Sequence, residues 1–273
     1  MDIQNEVKVK DGENLTLGKS KKLNDKAEKS VCQVITDHGS GSGFICKIKI
    51  LQNGKIEEIY CLITNNHVLN ENDLEKDFIT ITFYSLKNKD NQLQSEKLEK
   101  QISLNLDRKI WTNEEIDYTC VEILEQDNIF QNINIFEIDD SCYNMNYDVK
   151  KYDKKGLVIA SIGPKEEIEL GQGAIEYRNK YKHKFFHNCN TVPGYSGGAA
   201  ILVDNLKIIG IHKGWDRKNK NVGIYMKEIL NDINNQIKNK KNEIQGILDI
   251  EKRELIIKKI LLYLNIQKTL LMN

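Results

Sequence analysis

The stretch TVPGYSGGAA, residues 191–200, holds one serine in a glycine-rich turn and leads directly into an apolar segment. Glycine adopts backbone angles that other residues rarely reach, and it lets backbone groups approach one another closely. The turn can therefore aim the backbone N–H groups of Gly194 and Ser196 at one point beside the serine hydroxyl, as an oxyanion hole requires. A serine hydroxyl is a poor nucleophile until a base accepts its proton, so this turn calls for a histidine and a carboxylate elsewhere.

Two upstream segments supply these groups. His67 follows the β-prone stretch YCLIT and the polar residues Asn65 and Asn66, so we expect its imidazole at the end of a strand. Asp117 stands at the start of the alternating segment DYTCVEIL, which is typical of another strand. The chain order His67, Asp117, Ser196 differs from the order of the same groups in subtilisins and in α/β-hydrolases.

Taken together, these segments resemble the chymotrypsin-fold (trypsin-like) serine peptidases over roughly residues 30–225. The resemblance is carried by four patches and a weaker fifth: GSGF at 41–44, TNNH at 64–67, DYTCV at 117–121, GYSGG at 194–198, and GIY at 223–225. It implies an all-β fold with a C-terminal helix, in which two six-stranded antiparallel β-barrels form a chymotrypsin-like double barrel with an extended helical tail. In motif style the chain is similar to the bacterial glutamyl-endopeptidase-like and 3C-like branches.

The resemblance implies a serine endopeptidase in which His67 is the general base, Asp117 orients it and Ser196 is the nucleophile. Gly194 and Ser196 would supply the N–H groups of the oxyanion hole. Each residue alone has an ordinary structural interpretation, as a turn or strand-end residue, and only their joint occurrence in order favours catalysis. A second interpretation stays open: a catalytically idle binding module of the same fold that uses its helical tail for partners.

Thr191, His212 and Gly214 are the predicted substrate-binding residues. The segment IIGIHKG, residues 208–214, resembles the strand that lines the first substrate pocket, and glutamyl endopeptidases and 3C-type peptidases share its Gly-x-His pattern and a threonine five residues before the nucleophile. A hydroxyl and an imidazole N–H are donors suited to a Glu or Gln side chain, so we predict cleavage after these residues. The alternative is that His212 is only packed in a strand common to the wider family.

Tyr195 departs from the pattern of the digestive branch of the family. That branch has an aspartate at this position, which pairs with an α-amino group freed by cleavage. Tyrosine cannot form such an ion pair, so the resemblance predicts a pocket that assembles without N-terminal cleavage.

Composition shifts predict three parts of the chain. Residues 1–29 are polar and lack a periodic apolar pattern, and we expect a flexible or lightly docked extension. Residues 30–226 form the predicted peptidase domain, with barrels at about 30–130 and 150–226. From residue 227 to 273 apolar residues recur at three- and four-residue steps, which predicts a helical segment that Gly246 divides. This segment either folds back on the barrels or mediates self-association or partner binding.

The remaining features restrict partners and location. The chain has 273 residues with 40 basic and 40 acidic ones, so charge does not favour nucleic acid. The absence of an apolar leader or an 18-residue apolar stretch predicts a cytoplasmic protein without a membrane partner. The six cysteines are expected to be buried thiols, with Cys46 and Cys61 the pair to check. Protein or peptide substrates are expected, and no cofactor or metal ion, because the spacing of His183, His187 and Cys189 is poor for zinc.

Overall fold

The computed structural model describes residues 15–52, 54–89, 92–104, 108–129, 135–181, 183–216 and 220–271. The chain divides into two compact units, Met1–Asn231 and Asp232–Asn273. The helices of the described residues, short 3₁₀ turns aside, are α1 (Leu17–Ser30), α2 (Glu71–Leu74) and α3 (Met226–Leu271). The strands are β1 (Val31–Thr36), β2 (Gly39–Gln52), β3 (Lys55–Thr64), β4 (Phe78–Lys89), β5 (Gln92–Ser103), β6 (Ile110–Asn113), β7 (Tyr118–Glu122), β8 (Phe136–Glu137), β9 (Gly156–Ile162), β10 (Ile168–Glu176), β11 (Lys184–His187), β12 (Ala199–Leu202), β13 (Ile208–Trp215) and β14 (Asn221–Tyr225).

The first half of the chain forms an eight-stranded sheet around a core that includes Ile45, Leu62 and Val121. The strands follow the order β5-β4-β1-β2-β3-β7-β6, and the short β8 pairs in parallel with β2. This is two strands more than expected for the first barrel. The pairing of β3 with β7 sets Thr64 opposite Thr119, so the strand ends that precede His67 and follow Asp117 meet at one edge.

The second half forms the closed six-stranded barrel that the sequence predicts, in the order β10-β11-β14-β13-β12-β9. Its core is aromatic and aliphatic, with Phe185, Tyr225 and Ile209 fully buried. Strands β12 and β13 pair with Ala199 opposite Ile211, and Gly197 N–H donates to the carbonyl of His212 at 2.8 Å. The turn that holds Ser196, the predicted nucleophile, is therefore tied directly to the strand predicted to line the substrate pocket.

Helix α1 occupies a segment for which the sequence predicted only an extension. Leu23 and Ala27, one helical turn apart, are fully buried, and the hydroxyl of Thr16 accepts a hydrogen bond from Lys19 N–H at the first turn. Two apolar positions are too few to show a periodic pattern among so many charges, which explains why the sequence missed the helix. Residues 1–14 lie outside the described residues.

Helix α3 confirms the helical tail and runs without a break past residue 246, where the sequence predicted a division. In the unit formed by residues 232–273, Ile244, Ile247 and Ile250 are each more than half exposed. No helix in the described ranges combines the length and apolar character that a membrane span requires.

All six cysteines are free and buried, as predicted. Cys46 and Cys61 lie directly opposite each other on β2 and β3, yet remain unbridged. Burial raises the pKa of both thiols well above the usual range, so neither has the thiolate character that makes cysteines reactive.

Candidate active site

His67 and Asp117 form a direct pair at the edge of the first sheet. The imidazole Nδ1 lies 3.0 Å from each carboxylate oxygen of Asp117, and the backbone N–H of His67 donates to Oδ1 at 3.0 Å. The Asp117 side chain is 5% exposed and that of His67 is 47% exposed, so the carboxylate is buried while the imidazole is accessible to solvent. This is the geometry in which a carboxylate orients a histidine that exchanges protons with substrate.

The backbone at Asp117 is held in an unusual conformation. Its φ is 72°, in the left-handed region, which aspartate tolerates better than most residues. The turn is pinned from two sides, because Asp117 N–H donates to the carbonyl of Asn113 at 2.8 Å and Asn65 Nδ2 donates to the carbonyl of Asp117 at 2.9 Å. A strained residue that its surroundings fix in this way is often functional.

The Asp117 carboxylate has a second partner that the sequence analysis missed. Lys213 Nζ lies 2.8 Å from Asp117 Oδ2. Burial opposes ionisation of the carboxyl group, but hydrogen bonds from His67 and Lys213 outweigh it and hold the pKa of Asp117 below its usual range. Asp117 is therefore a carboxylate at neutral pH.

Ser196 lies in a turn whose shape requires glycine on both sides. Gly194 has φ 99° and Gly197 has φ 87°, and Tyr195 N–H closes the turn onto the carbonyl of Val192 at 3.3 Å. With Pro193 before a glycine of positive φ, this turn has the features of type II. A Cβ atom on Gly197 would lie 1.9 Å from the carbonyl oxygen of Ser42, so only glycine fits there.

The Ser196 hydroxyl donates to the backbone carbonyl of Lys213 at 3.1 Å. Within the described residues, no hydrogen bond joins it to His67. The structure thus brings His67 and Asp117 together directly and connects Ser196 to them through Lys213. Gly214 also lies beside the hydroxyl, since a Cβ built on it would be 3.8 Å from Ser196 Oγ.

The predicted oxyanion hole is open. Among the described residues, neither the N–H of Gly194 nor that of Ser196 donates to a protein acceptor, while the neighbouring amides of the turn are paired. Ser42, fully buried, supports this turn: its Oγ donates to the carbonyl of Gly194 at 2.9 Å and accepts from Ile162 N–H at 2.9 Å. Its own N–H donates to the carbonyl of Ser196 at 2.7 Å. Ser42 lies in the GSGF motif, whose local pattern does not indicate this supporting role.

Thr191 lies in a cavity of about 660 Å³ beside the nucleophile turn, which Tyr195, Trp215 and Asn221 also line. Its hydroxyl donates to Asn221 Oδ1 at 2.8 Å and accepts from Trp215 Nε1 at 3.3 Å. His212 has another partner: it is 2% exposed, and its Nδ1 lies 3.1 Å from Nε2 of His187. The structure therefore gives the two predicted specificity residues separate hydrogen-bond networks.

The pair of buried histidines has a preferred arrangement of protons. Burial lowers the pKa of both imidazoles, that of His212 to about 4, so both are neutral at neutral pH. Among the described residues, His187 Nδ1 is buried without a hydrogen-bond partner, and a bare nitrogen there costs less than an orphaned N–H. His187 then carries its proton on Nε2 and donates to His212 Nδ1, which places the proton of His212 on Nε2.

Tyr195, which cannot form the ion pair with an α-amino group that an aspartate would form, has a different partner. Its side chain is 4% exposed, and its hydroxyl donates to Oε2 of Glu169 on β10. Burial, with the adjacent carboxylate, raises the pKa of the Tyr195 phenol, so the phenol stays a donor. The contact anchors the nucleophile turn to the barrel beneath it.

No protein-family model and no curated protein sequence matches this chain. Three solved structures resemble it in fold. A Glu endopeptidase structure is 12% identical, covering 77% of this chain and 91% of that one, with a TM-score of 0.52. The structure of Deg5 is 15% identical, covering 80% and 95%, with a TM-score of 0.51. A serine endoprotease from Yersinia pestis is 14% identical, covering 79% of this chain and 66% of that one, with a TM-score of 0.50.

At these identities the likeness concerns the fold, and the chemistry depends on the side chains of this chain. The chain has the chymotrypsin-like fold of trypsin-like serine peptidases, as the sequence predicted.

Proposed function

We propose that this chain is a serine endopeptidase that hydrolyses peptide bonds through His67, Asp117 and Ser196. The observation that carries the proposal is the buried carboxylate of Asp117 on the imidazole of His67; Lys213, which contacts Asp117 through Nζ and the Ser196 hydroxyl through its carbonyl oxygen, supports it. The unpaired N–H groups of Gly194 and Ser196 support it, because a hydrolase must stabilise the oxyanion of the tetrahedral intermediate.

The reaction would begin with rotation of the Ser196 hydroxyl from the carbonyl of Lys213 towards His67. His67 Nε2 takes the hydroxyl proton as Oγ attacks the substrate carbonyl carbon, and the two N–H groups hold the resulting oxyanion. The imidazolium then gives the proton to the leaving amine, which leaves an acyl-enzyme on Ser196. Water, activated by the same imidazole, hydrolyses the ester and regenerates the hydroxyl.

The substrates would be flexible protein or peptide segments laid along β13 beside Gly214, with Glu or Gln before the scissile bond. Two features support this preference: the proton arrangement that leaves an N–H on Nε2 of His212, and the hydroxyl of Thr191 in a cavity that Tyr195 and Trp215 also line. Both donors would have to reach one side chain, and Thr191 would exchange its bond to Asn221 for one to substrate. The cytoplasmic location stays a prediction.

A catalytically idle binding module is the second candidate. It is favoured by the Ser196 hydroxyl, which bonds to a backbone carbonyl rather than to the imidazole, and by the exposed isoleucines of α3. Such a module would use its helical tail for self-association or for a partner. The two candidates differ in one property, the reactivity of Ser196.

A fluorophosphonate probe measures that reactivity directly, because it modifies an activated serine. We expect the wild-type chain to be labelled, Ser196→Ala and His67→Ala to be unlabelled, and Ser40→Ala, which changes an exposed serine of β2, to match the wild type. Failure of the wild type to react would favour the binding module. Cleavage-site profiling on a peptide library then tests the preference, and a dominant Arg, Lys or Phe before the cleaved bond would reject Glu or Gln.

A further inference from the structure

Strand β13 contains an irregularity at the residue that contacts Asp117. His212 pairs with Gly223 and Gly214 pairs with Val222, so Lys213 is an extra residue without a partner on β14. A bulge of this kind bends a strand and redirects a side chain, and bulges are frequent beside active sites. Here the bulged residue is Lys213, whose side chain reaches Asp117.

Lys213 contacts both ends of the proposed catalytic set. Its Nζ lies 2.8 Å from Asp117 Oδ2, and its carbonyl oxygen accepts the hydroxyl of Ser196 at 3.1 Å. The Lys213 side chain is 34% exposed and that of Asp117 is 5% exposed, so a half-covered ammonium reaches a buried carboxylate. Because the carboxylate also accepts from His67, the imidazole and the ammonium share one negative charge.

Other charged groups face this cluster from neighbouring elements. Lys184 on β11 interacts electrostatically with both Lys213 and Asp117, and burial, followed by Lys213, lowers its pKa. His183 interacts electrostatically with Lys184, Lys213 and Glu115, and His212 interacts electrostatically with His67. Among the groups whose contacts are described, Lys213 is the cation in direct contact with the carboxylate of Asp117.

We propose that Lys213 is a positioning residue that acts on His67 through Asp117, by taking up part of the carboxylate's charge and so weakening the attraction between Asp117 and an imidazolium at His67. The catalytic consequence rests on the proposed function of His67. A carboxylate paired with His67 alone would stabilise the imidazolium more strongly and would hold the proton that catalysis must pass on.

The expected size of the effect follows from the contacts. Two cations that touch one carboxylate lie about 6 Å apart, and at an effective dielectric of about 40 their repulsion corresponds to about one pH unit. The half-exposed ammonium is partly screened, so the shift should fall as salt is raised.

The test is an NMR titration of the His67 imidazole in the full chain, with its signals assigned by comparison with His67→Gln. We expect Lys213→Met to raise the titration midpoint by about one pH unit and Lys213→Arg to keep it within about 0.3 unit of wild type. Lys184→Met is the matched control, because it removes a nearby cation without a described contact to Asp117, and it should move the midpoint by less than half as much. Lys213→Gln replaces Lys213→Met if the latter does not fold.

An unchanged midpoint in Lys213→Met, or an equal shift in Lys184→Met, would overturn the inference. Fluorophosphonate labelling at several pH values gives the catalytic consequence: the acid limb of the labelling rate should move up with the midpoint. The titration needs no activity, so the two proposals fail separately. A midpoint that shifts in a chain whose Ser196 never reacts would support the role of Lys213 and reject the endopeptidase.

Discussion

Replacing Ser42 by alanine removes one oxygen atom that two buried backbone groups share. The Ser42 hydroxyl donates to the carbonyl of Gly194 and accepts from the N–H of Ile162, each at 2.9 Å, and the residue is fully buried. The substitution leaves both backbone groups without these partners. A lost hydrogen bond that strands a buried group costs about 1–3 kcal/mol, so we expect the free energy of unfolding to fall by about 2–4 kcal/mol.

The matched control is Ser161→Ala. Ser161 is also fully buried in the second half of the chain, but its hydroxyl has no hydrogen-bond partner among the described residues. Removing this hydroxyl should therefore change stability by less than about 1 kcal/mol, or increase it. Urea unfolding of the two variants, compared at the same m value, distinguishes the loss of a hydrogen-bonded hydroxyl from the loss of a buried hydroxyl that makes no hydrogen bond.

Ser42→Ala should also slow fluorophosphonate labelling of Ser196, by about tenfold, because the carbonyl of Gly194 helps to fix the turn that carries the oxyanion hole. The reasoning is refuted if Ser42→Ala and Ser161→Ala lose equal stability, or if labelling of Ser42→Ala equals that of wild type under native conditions.

Three further predictions concern the same site. Gly197→Ala should destabilise the chain by at least about 3 kcal/mol, because its Cβ would lie 1.9 Å from the carbonyl oxygen of Ser42 at a φ of 87°; a thermal melt close to wild type would contradict this. Tyr195→Phe leaves Glu169 without its phenol donor. We expect the free energy of unfolding in urea to fall by about 1–2 kcal/mol and the labelling of Ser196 to become slower. Unchanged values would show that the contact does not anchor the turn. Asp117 has a lowered pKa, so it contributes stability that is complete above its unfolded pKa near pH 4 and lost as pH falls through its folded pKa; the stability difference between wild type and Asp117→Asn should shrink as pH falls below 4, and a difference that kept growing below pH 4 would contradict this.

Sequence reasoning succeeded where the signal is local. The glycines beside Ser196 have the positive φ angles that the motif predicts, and the pairing of β3 with β7 explains why two strand-end residues, His67 and Asp117, meet. The double barrel was implied by the resemblance of these motifs to chymotrypsin-fold peptidases; the alternating and apolar patterns by themselves predict strands, because a strand reveals its buried face in its own residues.

The parts that sequence reasoning missed depend on contacts between distant segments. Ser42 and Gly194 are 152 residues apart, and the pattern around Ser42 does not show that its hydroxyl reaches the nucleophile turn. Lys213 lies in the segment predicted to line the substrate pocket but had no predicted role, because a bulge depends on the pairing of two strands and is not visible in one segment. The partner of His212 is a residue, His187, that the sequence suggested only as a poor zinc ligand.

Hydrogen bonds from Ser42 to Gly194 and Ser196 cross between the two halves of the first unit. The geometry around Ser196 therefore depends on contacts between the two halves and not on either half alone. A denaturant, a small molecule or a distant substitution that weakens these contacts should lower the reactivity of Ser196 before either half unfolds. The reactivity of one hydroxyl would then be a sensitive gauge of how well the two halves are joined.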